Sequence, residues 1–92
     1  MIYNIIYLSS FEKDVKKIDK VLKVKLKESI EKIKEYPEIG YLLTGDLQGF
    51  RSYHFKNNNV EYRIAYIIDD NNLVFIKFSK RENFYEELKR RL

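Results

Sequence analysis

From Phe11 onward the apolar residues Phe11, Val15, Ile18, Leu22, Leu26, Ile30 and Ile33 recur in steps of three and four, the spacing of one stripe along a helix. Lysines fill much of the remaining surface, and neither glycine nor proline interrupts the run before Pro37. As one continuous helix it would extend about 40 Å at about 1.5 Å per residue. A folded chain of 92 residues has a radius of gyration of about 12 Å, so a single straight rod would overhang everything else. The run is therefore expected to break near Asp19-Lys20 and to fold back as a helical hairpin. Its stripe would face a core and its lysines water.

A sheet is expected to cover that stripe. Ile2 to Leu8 reads as a strand, apolar or aromatic on both faces and so expected to lie inside the sheet. Ser9-Ser10-Phe11-Glu12 matches a capping box, with Ser9 capping the N–H three residues on and Glu12 reaching back. Tyr36-Pro37-Glu38-Ile39-Gly40 ends the helical region, and Leu42 to Gly49 reads as a connecting loop. Phe50 to Lys56, Val60 to Ile68 and Leu73 to Ser79 read as strands, joined by turns at Asn57-Asn58-Asn59 and Asp69-Asp70-Asn71-Asn72. Glu82 to Leu92 can form a short helix. The order β-α-α-β-β-β-α predicts a single α+β domain over residues 1–92. It consists of an N-terminal strand, a helical hairpin and a three-stranded antiparallel meander, with the helices on one face.

Composition narrows the function. The absence of cysteine excludes a disulfide scaffold, thiol catalysis and cysteine-ligated zinc. The single histidine, His54, cannot hold a metal alone, so neither metal nor other cofactor is expected. No apolar run approaches the ~18 residues of a membrane span. Met1-Ile2-Tyr3-Asn4-Ile5 lacks the basic stretch and small-residue cleavage site of a secretory leader. The expected setting is the cytoplasm, with no membrane partner. A formal net charge of +4 leans toward anionic partners. Eight tyrosines and six phenylalanines leave rings to spare for stacking.

The residues able to carry chemistry gather in the last third. Folding the second and third strands about the asparagine turn puts Tyr53 opposite Arg63 and Arg51 opposite Ala65. Folding the third and fourth about the acidic turn puts Arg63 near Phe78, with Lys80 further along the same face. In this register Arg51, Tyr53, Arg63 and Lys80 form one basic, aromatic patch and His54 points away. A slip of one residue would bring His54 round. Arg81 follows Lys80, and Tyr85 comes four residues later. Each residue also has a plainer reading. Arg63 can pair with Glu61 or Glu82, Tyr85 can pack the last helix with Phe84 and Leu88, and the helix lysines can simply be a solvated face.

In order and spacing these pieces resemble the RelE/ParE superfamily of toxins from type II toxin–antitoxin systems, with the RelE branch nearest. The resemblance covers almost the whole chain. It rests on the element order, Pro37 after the second helix, Leu43-Thr44-Gly45 before the second strand, Tyr62-Arg63-Ile64 in the third, and Lys80-Arg81-Glu82 followed by Tyr85. It implies a ribosome-dependent endoribonuclease that cuts messenger RNA without a metal, using the RNA's own 2′-hydroxyl against the adjacent phosphate, and so inhibits translation. By the same resemblance Arg63 stabilises the transition-state phosphate, and Arg81 contacts the phosphate and can help protonate the leaving oxygen. Tyr85 positions the nucleophile or stacks a base, and Arg51 falls where the family often has a basic residue. Lys80, Tyr53 and His54 are the expected further RNA contacts.

The chain departs from the family pattern in two places. Tyr53 stands where RelE enzymes often carry a lysine proposed as general base, and Tyr85 sits one residue closer to Arg81. Among the candidates only His54 titrates near neutral pH. The implied partners are a small, acidic antitoxin, the ribosome and messenger RNA. Two other activities remain open: a ParE-like poison of DNA gyrase, and an inactive homologue that only binds its antitoxin.

Overall fold

A computed structural model describes residues 2–92. The long apolar run breaks where chain length requires it, into α1 (Ser9–Lys16) and α2 (Lys20–Glu35). Asp19 is the device: its backbone is extended, and its carboxylate accepts the Leu22 N–H at 2.9 Å, an N-cap that starts the second helix. The start of α1 differs from expectation. Ser9 is already helical, Leu8 is the N-cap residue, and no side chain caps the helix. Leu8 donates its N–H to the Phe75 carbonyl in the sheet, while its own carbonyl accepts from the Glu12 N–H. Strand β1 (Asn4–Tyr7) thus runs straight into the helix, leaving no turn for a capping box.

The remaining strands are β2 (Tyr41–Leu42), β3 (Phe50–Asn57), β4 (Val60–Asp69) and β5 (Asn72–Lys80). They form one sheet in the order β1-β5-β4-β3-β2. The antiparallel meander of β3, β4 and β5 is as expected. β1 joins β5 in parallel at the edge of the sheet, not inside it as its two apolar faces suggest, and the short β2 pairs with β3 and takes the first residue of the segment expected to be loop.

Both hairpins correct the expected register by one residue. Asn58 and Asn59 both have left-handed backbones, with φ of 52° and 65°, and Asn57 pairs with Val60. This is a two-residue loop of the type that needs positive φ at both positions, which asparagine tolerates. With two residues in the loop instead of three, Tyr53 faces Ile64 and His54 faces Arg63. The acidic turn does pair Asp69 with Asn72. Further along, however, Tyr66 pairs with Phe75 and Ala65 with Lys77, so Ile76 is an extra residue in a bulge. Beyond it Arg63 lies opposite Ser79, and Lys80 opposite Tyr62.

Each face of the sheet has its own core. On one, Phe11, Leu22, Leu26, Ile30 and Ile33 of the hairpin pack on Ile64, Tyr66, Leu73, Phe75 and Phe78. On the other, Phe84 and Leu88 of α3 (Phe84–Arg90) pack with Leu47, Ala65 and Ile76. The hairpin thus lies on one side as expected, and the third helix lies across the sheet from it. Asn83 turns the chain there, its φ of 57° placing it in the left-handed region.

Past the end of β1, the outer edge of β5 is closed by side chains from both faces. Asp14 of α1 accepts the Phe78 N–H at 2.9 Å, and Ser10 donates to the Ile76 carbonyl. Arg91 donates to that same carbonyl and to both Asp14 oxygens. Lys77, almost wholly buried, pairs with Glu87 at 2.9 Å. No helix among the described residues is long and apolar enough to cross a membrane.

The turn that follows α2 is tied to the sheet from below. Tyr66 is fully buried, and its hydroxyl donates to the Pro37 carbonyl and accepts the Gly40 N–H. A Cβ on Gly40 would meet that hydroxyl oxygen at 2.6 Å, so only glycine fits. Tyr66→Phe should remove the hydroxyl partner of the Pro37 carbonyl and of the Gly40 N–H and cost about 1–3 kcal/mol. Urea unfolding measures it, and an unchanged midpoint would remove this role from the hydroxyl.

Candidate functional site

Alternation along the strands decides which side chains meet. His54 of β3, Arg63 of β4 and Ser79 of β5 are cross-strand neighbours. They share the face covered by α3, together with Ser52 and Glu61, each two residues along its strand. The first turn of α3 brings Tyr85 over this corner. Its ring centroid lies 5.0 Å from the Arg63 guanidinium carbon, a cation–π distance. Its hydroxyl lies 3.4 Å from His54 Nε2. The same nitrogen lies 3.0 Å from the hydroxyl of the buried Ser52. The Tyr41 ring of β2 also packs on the imidazole, its centroid 5.0 Å away.

One carboxylate oxygen ties the cluster together. Arg63 Nε and Nη2 both lie 2.8 Å from Glu61 Oε2, and His54 Nδ1 lies 3.8 Å from it. Arg81, at the end of β5, donates its backbone N–H to the Glu61 carbonyl. Its side chain is exposed, and its charge acts on the Glu61 carboxyl.

These contacts set the charge states. Burial, and then the Arg63 charge, push the His54 pKa below its ordinary 6.5, against a weaker pull upward from Glu61. That direction favours the neutral imidazole at pH 7, with a lone pair on one ring nitrogen. The hydrogen bond from Arg63 holds the Glu61 carboxyl below its usual value. A neutral imidazole, a fixed guanidinium and an aromatic face stand side by side, which can bind an anion and remove a proton next to it. Among the described residues no group of histidine, cysteine and acidic side chains could hold a metal ion.

Of the residues singled out in the sequence, Arg63, Tyr85 and His54 come together, with Arg81 at the border. Arg51, Tyr53 and Lys80 do not join them, because the corrected register turns them to the other face. Arg51 donates to the carbonyls of Glu38 and Gly40 and so braces the turn after α2. Tyr53 packs at the edge of the hairpin core. Lys80 lines a cleft at the β5 edge with Asp14, Lys17 and Tyr62. Nothing in the sequence singles out Ser52 or Tyr41, and Glu61 reads there only as a possible ion-pair partner of Arg63. The signal for Glu61 was its position two residues before Arg63, which puts both on one face.

The sequence profile of ParE-like toxins of type II bacterial toxin–antitoxin systems matches residues 5–89. No curated protein matches the chain in sequence. Solved structures share its fold. An arginine-substituted variant of the Escherichia coli toxin RelE in the free state superposes with a TM-score of 0.79 at 20% identity, covering 100% of this chain and 99% of that one. The toxin–antitoxin complex RelBE2 of Mycobacterium tuberculosis gives 0.75 at 21% identity, covering 88% and 100%. The intact E. coli RelBE complex gives 0.73 at 18% identity, covering 87% and 98%. At these identities the likeness is one of fold.

The His54 environment is directly measurable. Its imidazole should titrate below 6.5 by NMR, and Arg63→Ala should move the midpoint up, since one of the two lowering influences is gone while the pull from Glu61 remains. Because the folded value lies below the unfolded one, His54 favours folding above pH 6.5 and loses that contribution as pH falls through the folded midpoint. A midpoint at or above 6.5 in the unaltered protein would contradict the packing around the ring.

Proposed function

This chain belongs to the ParE-like toxins of type II bacterial toxin–antitoxin systems, and we propose that it acts as a RelE-like endoribonuclease that cuts messenger RNA on the ribosome and halts translation. The observation that carries this reading is His54 facing Arg63 across one strand pair, with Tyr85 closing over both. It supplies the component that Tyr53 lacks, a base neutral at physiological pH. The neutral imidazole accepts the proton of a ribose 2′-hydroxyl, whose oxygen attacks the adjacent phosphorus. The bond to the 5′-oxygen breaks, leaving a cyclic phosphate on one fragment and, once that oxygen is protonated, a 5′-hydroxyl on the other. Arg63 and Arg81 offset the charge that builds on the phosphoryl oxygens, so no metal is called for. The Tyr85 ring offers a face for a splayed base. Arg51 stays outside this set and acts on the fold.

The partner under this reading is a small acidic antitoxin that silences the toxin by covering this corner or lifting α3 from it. Two of the structural relatives are toxin–antitoxin complexes, which supports such a partner. The setting is the cytoplasm, where ribosomes and messages are.

One observation favours a second reading. Arg63 already has a carboxylate partner in Glu61, as a purely structural arginine would. A ParE-like gyrase poison, or a homologue that only binds its antitoxin, would need nothing more of it.

Cleavage of ribosome-bound message by purified protein separates these readings. Arg63→Ala and His54→Ala should each reduce it by about 10²-fold or more, and Arg81→Ala should also weaken it. Intact message together with blocked supercoiling would instead identify the gyrase activity. Equal cutting by all variants would remove the chemistry from this corner.

A further inference from the structure

We propose that Glu61 is a built-in plug of the anion site: its carboxylate occupies the place of an RNA backbone phosphate, and binding requires the RNA to expel it. The identity of the ligand rests on the nuclease reading, whereas the plug itself rests on geometry.

Of the two edges of the Arg63 guanidinium that present paired N–H groups, the Nε–Nη2 edge is the one whose bound oxygen lies beside His54. The Tyr85 ring covers a face of its guanidinium, and the Nε–Nη2 edge carries two parallel N–H groups, a fork that suits two oxygens of one anion. Glu61 fills that edge with a single oxygen, Oε2, at 2.8 Å from both nitrogens. The same oxygen is the one facing His54 Nδ1. Carboxylate and phosphate cannot share the edge, so occupancy by one excludes the other.

The exchange is feasible in both directions. A phosphodiester brings one negative charge to replace one, so the half-buried guanidinium is never left bare. Its two free oxygens can take Nε–H and Nη2–H separately, where Glu61 serves both with one. Arg81 lies within reach of the carboxyl's field and adds attraction for a second phosphate of the same strand. Glu61 is only partly covered, so rotation about its side chain frees the edge without moving β4. A weakly held RNA would fail to displace the plug, and a strand presented at high local concentration would succeed. Stray RNA is thereby spared.

Glu61→Gln tests this, because it keeps size and hydrogen bonding and removes the charge. The probe is a short single-stranded 2′-deoxy oligonucleotide, which can bind but lacks the attacking hydroxyl. Glu61→Gln should bind it about tenfold tighter than the unaltered protein, equivalent to about 1.4 kcal/mol. The gain should vanish in the Glu61→Gln, Arg63→Ala double variant, and with a methylphosphonate oligonucleotide of the same sequence, whose backbone is uncharged. A folded Glu61→Gln protein, verified by its NMR spectrum and urea midpoint, that binds no tighter would overturn the plug. If that variant is unfolded, Glu61→Ser replaces it and the same comparison decides. Tighter binding without message cleavage by the unaltered protein would refute the nuclease reading alone. Cleavage with no gain in Glu61→Gln would refute the plug alone.

Discussion

The backbone at Asn58 and Asn59 decides which side chains can meet. Two consecutive left-handed residues close the β3–β4 loop with the handedness that the strand twist requires. That closure fixes the pairing of every residue above it, and side chains alternate with a period of two. A loop one residue longer would send His54 to the hairpin core and bring Tyr53 to Arg63. Tyr53 and Phe55, packed against the hairpin core on either side of His54, hold the same register that the turn sets. The bulge at Ile76 does the equivalent for β5, lining Ser79 up with Arg63 and carrying Lys80 to the opposite side.

The corner also depends on how α3 is held, since Tyr85 belongs to it. Phe84 and Leu88 supply the apolar contact and are almost fully buried. Two ion pairs accompany them, Lys77 with Glu87 and Arg91 with Asp14. Asp14 is one-tenth exposed or less and accepts from a backbone N–H besides Arg91, so its charge is fully compensated. Losing one member of such a set costs more than the set contributes as a whole, because the other charge is then stranded. Contacts of this kind specify where a helix sits more than they add to stability. Here they join helices on opposite faces around one strand edge.

Much of the architecture was legible in the sequence because its causes are local. The spacing of Phe11 to Ile33 marks the helices, and chain length alone demands a break, which Asp19 provides. The three C-terminal strands are delimited by their own turns. The site was harder to read because it depends on counting. A run of Asn57-Asn58-Asn59 does not announce whether two or three residues turn, and an added residue such as Ile76 leaves no mark in an apolar strand. Hence Arg63 and Tyr85 were found by their types and spacing, while Arg51, Tyr53 and Lys80 were placed on the wrong face. The same miscount points His54, an expected RNA contact, away from Arg63, although it is the candidate that titrates near neutral pH. The capping box failed differently: Ser9 and Glu12 have the right spacing, but Leu8 serves strand and helix at once and leaves the motif no room.

The parallel pairing of β1 with β5 has a consequence for the order of events in synthesis. Asn4 finds its partner in Asn72 and Tyr7 in Phe75, so β1 must wait for β5, the strand of this sheet made last. Helix α1 has the same dependence, since its Ser10 and Asp14 bond to the backbone of β5. Closing so long a stretch of chain is slow compared with forming helices or hairpins. The α1–α2 hairpin and the β3–β4 ribbon can form early, but the sheet cannot be completed until the C-terminal third has left the exit tunnel. A truncated translation product would therefore carry Arg63 without the frame that orients it.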